Sequence, residues 1–187
     1  MKMNLVAVFC ILGAFALGCS KIQELSKGGG GSAFKSESDN FTIAFPSGAS
    51  GVKEEKGDVK YSSNAKTYGK MFDNRSDNYR SYEITAADMS TYPTEGKTER
   101  DIEEVALNGW EDEPETEIKE TTIDGIKAID SVRSIEVGPA KMTFREVPIW
   151  DPKGKKLYTI QVAAVKKENV MAKEANDFIN SFKLLKK

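Results

Sequence analysis

The side chains that could do chemistry in this chain are carboxylates, because histidine is absent and only two cysteines are present. The absence of histidine excludes the Ser-His-Asp triad, the Cys-His pair and histidine-ligated zinc. Paired aspartate or glutamate side chains can still act on a substrate as a general acid and a general base. The candidates for such a pair are Glu111 and Glu115, within the acidic segment 99–117.

The same acidic segment has a plainer interpretation as a solvated face. Glu111 and Glu115 stand among other charged residues, where too little burial is expected to raise a carboxyl pKa towards the range that acid–base catalysis uses. A patch for cations or for a basic partner is a further alternative. We predict no catalytic residue and no enzyme activity, and a carboxylate-based hydrolase is the less favoured alternative.

The segment Asp73–Asn78 has the acidic and amide side chains of a calcium loop but departs from the EF-hand pattern. That pattern needs glycine at the sixth position, where Asn78 stands, and a bidentate glutamate where Ile84 stands. A hairpin turn is the simpler prediction. We predict no metal ion and no cofactor, and the net charge of −2, without a basic stripe, predicts no nucleic-acid binding.

The stretch Leu5–Cys19 is a short apolar run, preceded by Lys2 and followed by the polar pair Ser20-Lys21. A basic start, a short apolar run and small residues at its end are typical of a secretory signal peptide. The run is shorter than the roughly 20 apolar residues that span a bilayer. We expect residues 1–18 to be removed and the rest of the chain to be delivered outside the cytoplasm.

Ala16-Leu17-Gly18-Cys19 resembles the lipobox of bacterial lipoproteins, although Ala16 stands where that family usually has leucine. The resemblance implies cleavage before Cys19, lipid attachment to its thiol and anchoring in the bacterial cell envelope. Ser20 after that cysteine implies the outer membrane if the cell is Gram-negative. If Ala14-Phe15-Ala16 is instead an ordinary cleavage site, the protein is secreted with Cys19 as a free thiol.

Residues 19–38 contain the glycine run Gly28–Gly31 and are expected to form a flexible tether with a span of roughly 25 Å. Residues 39–187 are expected to form one domain, which is large enough to bury roughly 70% of its unfolded surface. The mature chain can have no intramolecular disulfide, because Cys10 leaves with the signal peptide and Cys19 alone remains.

The pattern of residues 39–187 predicts an α+β fold with a mostly antiparallel sheet. Thr98 is a good N-cap for one helix, with Asp101 in the capping-box position, and an apolar stripe predicts a second helix over 169–182. Asp124-Gly125 predicts a tight hairpin. The predicted strands are 41–45, 59–63, 70–73, 79–86, 117–123, 126–137, 141–150 and 155–166, with a loop over most of 51–64. The strand 155–166 is apolar on both faces, which predicts a central position.

Four motifs resemble small bacterial lipoproteins of the PsbP-like superfamily and together cover about residues 40–185. They are Phe41-x-Ile43-x-Phe45-Pro46, Asp124-Gly125, Lys156-Leu157-Tyr158-x-Ile160 and Phe178-Ile179-x-Ser181-Phe182-Lys183-Leu184. The resemblance implies an α/β/α sandwich in which two main helices flank the sheet. The histidines associated with metal binding in that family have no counterpart here.

Many PsbP-like proteins act as binding or assembly modules. We therefore expect a monomeric, non-catalytic module that is held at the membrane through a lipid on Cys19 and binds an envelope protein or a small ligand. A structural or surface lipoprotein without a specific ligand fits the same residues.

Overall fold

The computed structural model describes residues 33–47, 51–59, 62–73, 78–107, 116–137 and 140–185. These residues form two antiparallel sheets and three helices, so the α+β class is as predicted. The strands are β1 (Phe34–Ser36), β2 (Phe41–Ile43), β3 (Lys53–Val59), β4 (Ser62–Asp73), β5 (Arg80–Asp88), β6 (Glu117–Ile123), β7 (Ile126–Val137), β8 (Ala140–Asp151), β9 (Lys156–Ala164) and β10 (Lys183–Leu184). The helices are α1 (Glu99–Leu107), α2 (Lys167–Met171) and α3 (Lys173–Asn180). Within the described ranges, no helix is both long enough and apolar enough to cross a membrane.

The larger sheet has seven strands in the order β3-β4-β5-β9-β8-β7-β6, and the smaller sheet has three in the order β1-β2-β10. As predicted, β9 lies at the centre of the larger sheet, where both of its faces are covered. Its side chains alternate between those faces. Tyr158, Ile160 and Val162 enter the main core on what we call the first face, whereas Leu157 and Ala163 enter smaller clusters on the second face.

The first face carries the main hydrophobic core, on which the small sheet, α2 and α3 pack. The ring centroid of Phe41 lies 5.8 Å from that of Tyr158 and 6.1 Å from that of Phe182. The ring of Phe45 lies 5.0 Å from that of Phe178. Since burying one such side chain contributes about 1.5–3 kcal/mol, this aromatic layer holds the small sheet and the C-terminal helices on the large sheet.

The second face is apolar only towards its two ends. The cluster under α1 comprises Met89, Ile102, Trp150 and Leu157. The cluster at the far end of the strands comprises Met142, Phe144 and Ala163. Between these clusters the second face carries polar side chains, which form part of the candidate site described below.

Two local signals act in the structure as the sequence predicts. The Thr98 backbone N–H donates to Asp101 Oδ2 at 2.6 Å, and the Asp101 N–H donates to Thr98 Oγ1 at 3.2 Å, which is the reciprocal capping box at the start of α1. Asp124 and Gly125 both have positive φ values, 52° and 79°. This is the backbone that a two-residue hairpin requires, so β6 and β7 have the predicted bounds.

The C-terminal helix differs from the prediction. The apolar stripe predicts one helix over 169–182, but the chain forms α2 and α3, separated at Ala172, whose ψ of 161° is extended. Arg145 sits at this break and donates to the Val170 carbonyl at 3.3 Å and to Asn176 Oδ1 at 2.7 Å. Two further hydrogen bonds to Asp130, at 2.9 and 2.7 Å, fix the guanidinium. The largely buried Arg145–Asp130 ion pair thus supplies a hydrogen-bond donor to a backbone carbonyl where the helix is interrupted. The spacing of apolar residues in the sequence does not reveal this contact.

The predicted loop over 51–64 and the predicted strand over 59–63 are wrong. The chain forms a hairpin of β3 and β4 here, and β4 continues through the predicted strand 70–73. Because β3 is an edge strand with mostly exposed polar side chains, it lacks the alternating apolar pattern on which the prediction depends. β2 also ends at Ile43, earlier than predicted. The tether predicted over 19–38 is too long at its carboxyl end, because Phe34–Ser36 form β1 and pair with β2. Residues 74–77, in the segment compared with a calcium loop, lie outside the described residues.

Asp39 joins the two sheets through a buried carboxylate. Its Oδ1 accepts a hydrogen bond from Lys156 Nζ at 2.7 Å, and its Oδ2 accepts from the Tyr68 hydroxyl at 2.6 Å and from Lys66 Nζ at 3.1 Å. Its backbone oxygen accepts from the Tyr158 hydroxyl at 2.7 Å. Burial acts to raise the pKa of this carboxyl, but the hydrogen bonds from Lys156 and Tyr68 outweigh burial and hold the pKa well below its usual range. The charged carboxylate therefore ties the turn between β1 and β2 to β4 and β9.

The substitution Asp39→Asn is expected to lower the free energy of unfolding by about 2–4 kcal/mol, because it leaves two lysines without their common counter-charge. This loss is smaller than that for breaking a fully buried ion pair, about 3–5 kcal/mol, because about a fifth of each lysine side chain is exposed. Urea denaturation at pH 7 measures the change. Glu37→Gln is the matched control, because the Glu37–Lys35 pair is exposed, and it should leave the midpoint unchanged. Equal midpoints for both variants would contradict the role given to Asp39.

Candidate functional site

The site residues that the sequence singled out lie outside the described residues. Cys19, the predicted point of lipid attachment, belongs to the segment before residue 33, and Glu111 and Glu115 belong to the segment 108–115. Their roles stay predictions. Among the residues that are described, no three histidine, cysteine, aspartate or glutamate side chains come together in a way that could hold a metal ion.

Three polar side chains instead form a line across the middle of the second face. Glu83 on β5 is paired with Gln161 on β9, and Gln161 is paired with Glu146 on β8. Adjacent strands lie about 4.8 Å apart, so the two glutamate Cα atoms are about 10 Å apart. Gln161 Nε2 donates to Glu146 Oε1 at 2.6 Å. We call Glu83, Gln161 and Glu146 the polar row.

Both glutamates of the polar row are buried acids, with Glu83 8% exposed and Glu146 3% exposed. Burial raises the pKa of Glu83 to about 7, although a hydrogen bond from Ser81 acts to lower it. Burial raises the pKa of Glu146 to about 8, and the attraction of the Arg133 guanidinium offsets this only in part. The row therefore holds protons at a pH where exposed glutamates are ionised.

Carboxyl groups with pKa values near neutrality are the kind that general acid catalysis uses. However, less than a tenth of Glu83 and of Glu146 is exposed, so a substrate has little access to either group. Buried networks also perturb pKa values for purely structural reasons. The geometry of the row therefore favours a proton-holding element of the fold over a catalytic pair.

Sequence reasoning missed the polar row, although one signal for it was present. The strand that contains Gln161 is predicted to be covered on both faces, and a buried amide must find a hydrogen-bond partner. The identity of that partner depends on which strands flank β9. Glu83 and Glu146 come from distant parts of the chain, and local patterns do not reveal their pairing.

A surface cleft of about 610 Å³ lies beside the start of α2, over the first residues of β6 and β8 and the middle of β7. We call this feature the cleft. Its lining is mostly polar and consists of Thr116, Glu117, Val132, Arg133, Ser134, Lys141, Thr143, Val165 and Lys167. The volume is in the range of small-molecule sites.

The charges and hydroxyls of the cleft are arranged in pairs. Lys167 Nζ lies 2.8 Å from Glu117 Oε1, and the hydroxyls of Ser134 and Thr143 are 2.9 Å apart. The Arg133 guanidinium lies over the Phe144 ring, at 5.3 Å from its centroid, and so belongs to the second face. The lining carries three cations, Arg133, Lys141 and Lys167, and one carboxylate, Glu117, so the cleft combines hydrogen-bonding groups with an excess of positive charge. This lining favours a polar ligand that carries negative charge.

Glu83 also explains a glycine in β4. Gly69 is paired with Glu83 across β4 and β5, and a Cβ atom added to Gly69 would lie 2.9 Å from Glu83 Cγ and 3.6 Å from the Tyr82 carbonyl oxygen. Such a contact is too close, so the glycine makes room for the buried glutamate.

The substitution Gly69→Ala is expected to lower the free energy of unfolding by about 1–3 kcal/mol, the usual cost of an added group in a filled space. Gly57→Ala in β3 is the matched control, because a Cβ there meets nothing within 4 Å. Thermal or urea denaturation measures both. The cost of Gly69→Ala should shrink in a Glu83→Ala background, and an undiminished cost there would show that Glu83 is not its cause.

No protein-family model matches the sequence, and no curated protein matches it at a significant level. Several solved structures are similar to the folded chain, among them the following two. The Ran-binding protein Mog1p of Saccharomyces cerevisiae matches with a TM-score of 0.50 and 8% identity, over 84% of this chain and 97% of that one. LpqN, which is involved in cell envelope biogenesis of Mycobacterium tuberculosis, matches with a TM-score of 0.49 and 11% identity, over 89% of this chain and 91% of that one.

With 8% identity, the similarity to Mog1p indicates the fold and nothing about function. We draw no conclusion from the similarity to LpqN, whose TM-score is lower. The fold that this likeness indicates agrees with the α+β class described above.

Proposed function

We propose that this chain is a lipid-anchored protein of the bacterial cell envelope whose folded domain is a non-catalytic binding module. The single observation that carries the proposal is Ala16-Leu17-Gly18-Cys19 at the end of an apolar run too short to span a bilayer. Lipid attachment at Cys19 gives firm anchoring when two or more acyl chains are present, at about 0.8 kcal/mol per buried methylene. With Ser20 after the cysteine, the outer membrane is the proposed location in a Gram-negative cell.

The finer fold that we propose is the PsbP-like α/β/α sandwich. Its support is the position of the helices, since α1 packs on the second face of the large sheet and α2 and α3 pack on the first. Proteins of one fold serve many functions, so this resemblance supports the architecture and leaves the activity to be argued from the site.

The cleft is the proposed place of binding. It is the right size for a small molecule or for the side chains of a partner, and its polar lining can donate and accept hydrogen bonds. The non-catalytic part of the proposal has two supports. The chain has no histidine, and the described carboxyls whose pKa values would suit acid–base catalysis are buried away from substrate.

The anchor is tested by Cys19→Ser, with Cys10→Ser as the matched control. Intact mass of the protein extracted from the membrane fraction should show cleavage before Cys19 with added acyl chains. Cys19→Ser should remain uncut or leave the membrane fraction, because the thiol that receives the lipid is gone. Cys10→Ser should behave as the native protein, because Cys10 lies in the segment to be removed. An unmodified amino terminus on a freely released native protein would refute the anchor.

The binding role is tested with a photoreactive amino acid in place of Lys141, which lines the cleft. Irradiation of intact cells should attach a stoichiometric envelope component at this position. The same amino acid in place of Lys53, an exposed lysine on the distant edge strand β3, is the control and should capture nothing specific. Absence of an adduct at Lys141 would favour a structural lipoprotein without a specific ligand.

A further inference from the structure

The polar row carries more potential negative charge than the nearby cation can neutralise. Arg133 on β7 is 7% exposed, and its attraction acts on Glu146. Glu83, on the other side of Gln161, has no such cation acting on it within the described ranges: after burial, the influences on its pKa are a hydrogen bond from Ser81, which lowers it, and the like charge of Glu55, which raises it. With both row carboxyls ionised, two buried negative charges would face Arg133, the one buried cation of the second face among the described residues, an unfavourable state in a medium of low dielectric constant.

The remaining charged and titratable groups of the second face do not remove this imbalance. Those near the row carry both signs, and the acidic ones raise the pKa of their neighbours. Apart from Arg133, the cations are Lys53 of β3, Lys127 of β7 and Arg100 of α1, and the carboxylates are equal in number: Glu55 of β3, Glu120 of β6 and Glu103 of α1. Tyr79, before β5, is a titratable phenol on this face.

The amide of Gln161 favours a row that keeps a proton. An amide has one nitrogen with two donor hydrogens at one end and one acceptor oxygen at the other. Since Nε2 is engaged with Glu146, the amide oxygen is left as the acceptor on the β5 side. Glu83 is the cross-strand neighbour of Gln161 on that side. A protonated Glu83 would have a hydroxyl to donate towards this oxygen, whereas an ionised Glu83 would have none. Protonation of Glu83 would therefore allow hydrogen bonding to extend from β8 through β9 to β5.

We propose that the polar row is a proton-operated switch, which keeps the centre of the second face closed while one of its carboxyls is protonated and loosens it when both are ionised. The loosening affects the pairing of β5 and of β8 with the central strand β9, which lies between them. This inference does not depend on the lipid anchor or on the cleft.

The direction of the effect follows from proton linkage. The pKa values of Glu83 and Glu146 in the folded chain are raised from 4.5 to about 7 and about 8. The folded state therefore binds more protons than the unfolded state above pH 4.5. Stability is fully present below that pH and is lost as the pH rises through 7 and 8. Asp39 does not contribute to this change, because its pKa is lowered and it stays ionised throughout.

The experiment measures the folding equilibrium constant of the full chain in non-ionic detergent, by urea denaturation between pH 5 and 9. All variants carry Glu103→Gln, because burial raises the pKa of Glu103 to about 7 and its titration would add to the same window. In this background we expect the constant to fall at least tenfold between pH 5 and 8. Adding Glu83→Gln and Glu146→Gln together should make the profile flat, since glutamine keeps the acceptor oxygen but cannot titrate.

Glu136→Gln is the matched control, because Glu136 is an exposed glutamate of β7, and it should leave the profile unchanged. If the double variant does not fold, carbon-13 NMR of the glutamate carboxyls in the chain that carries only Glu103→Gln decides the question. Two carboxyl signals with midpoints above pH 6, absent from the single variants Glu83→Gln and Glu146→Gln respectively, support the switch. A flat native profile, a slope that survives both substitutions, or glutamates that all titrate below pH 5.5 would overturn it.

Discussion

The ionised carboxylate of Asp39 is the contact on which the joining of the two sheets depends. Strands of two or three residues, such as those of the small sheet, do not form a stable sheet on their own. They persist because the turn that joins β1 to β2 is held by Lys66, Lys156 and Tyr68, while Phe41 enters the aromatic layer beneath. The hydrogen bonds and ion pairs of Asp39 fix the position of the small sheet on the large one. Burial of apolar side chains between the two sheets supplies most of the free energy that holds them together.

The two faces of the large sheet handle buried carboxyl groups in opposite ways. Near the first face, Asp39 is charged and is surrounded by donors, so its pKa is lowered. On the second face, Glu83 and Glu146 have few donors, so burial dominates and their pKa values are raised. The difference arises from the partners that each strand register brings into reach, since the three side chains have the same chemistry.

Sequence patterns predicted the parts of this fold that local physics controls. The hairpin at Asp124-Gly125 and the capping box at Thr98 depend on a few adjacent residues, and the central position of β9 follows from its own apolar faces. The patterns failed where distant residues decide the outcome. Arg145 interrupts the last helix from another strand, and β3 is a strand only because β4 pairs with it. The polar row belongs to this second class, whereas the anchor motif is a matter of sequence alone.

The small sheet also sets an order of events in folding. Its middle strand, β2, pairs on one side with β1 and on the other with β10, at Lys183–Leu184. β1 and β2 thus form a sheet with β10, which lies more than a hundred residues further along the chain. Contacts between residues that are far apart in sequence are slow to form. Because β10 follows every other described strand in the sequence, synthesis from the amino end releases it after those strands. The small sheet can therefore be completed only after the strands of the large sheet have emerged, so its assembly is a late step in folding.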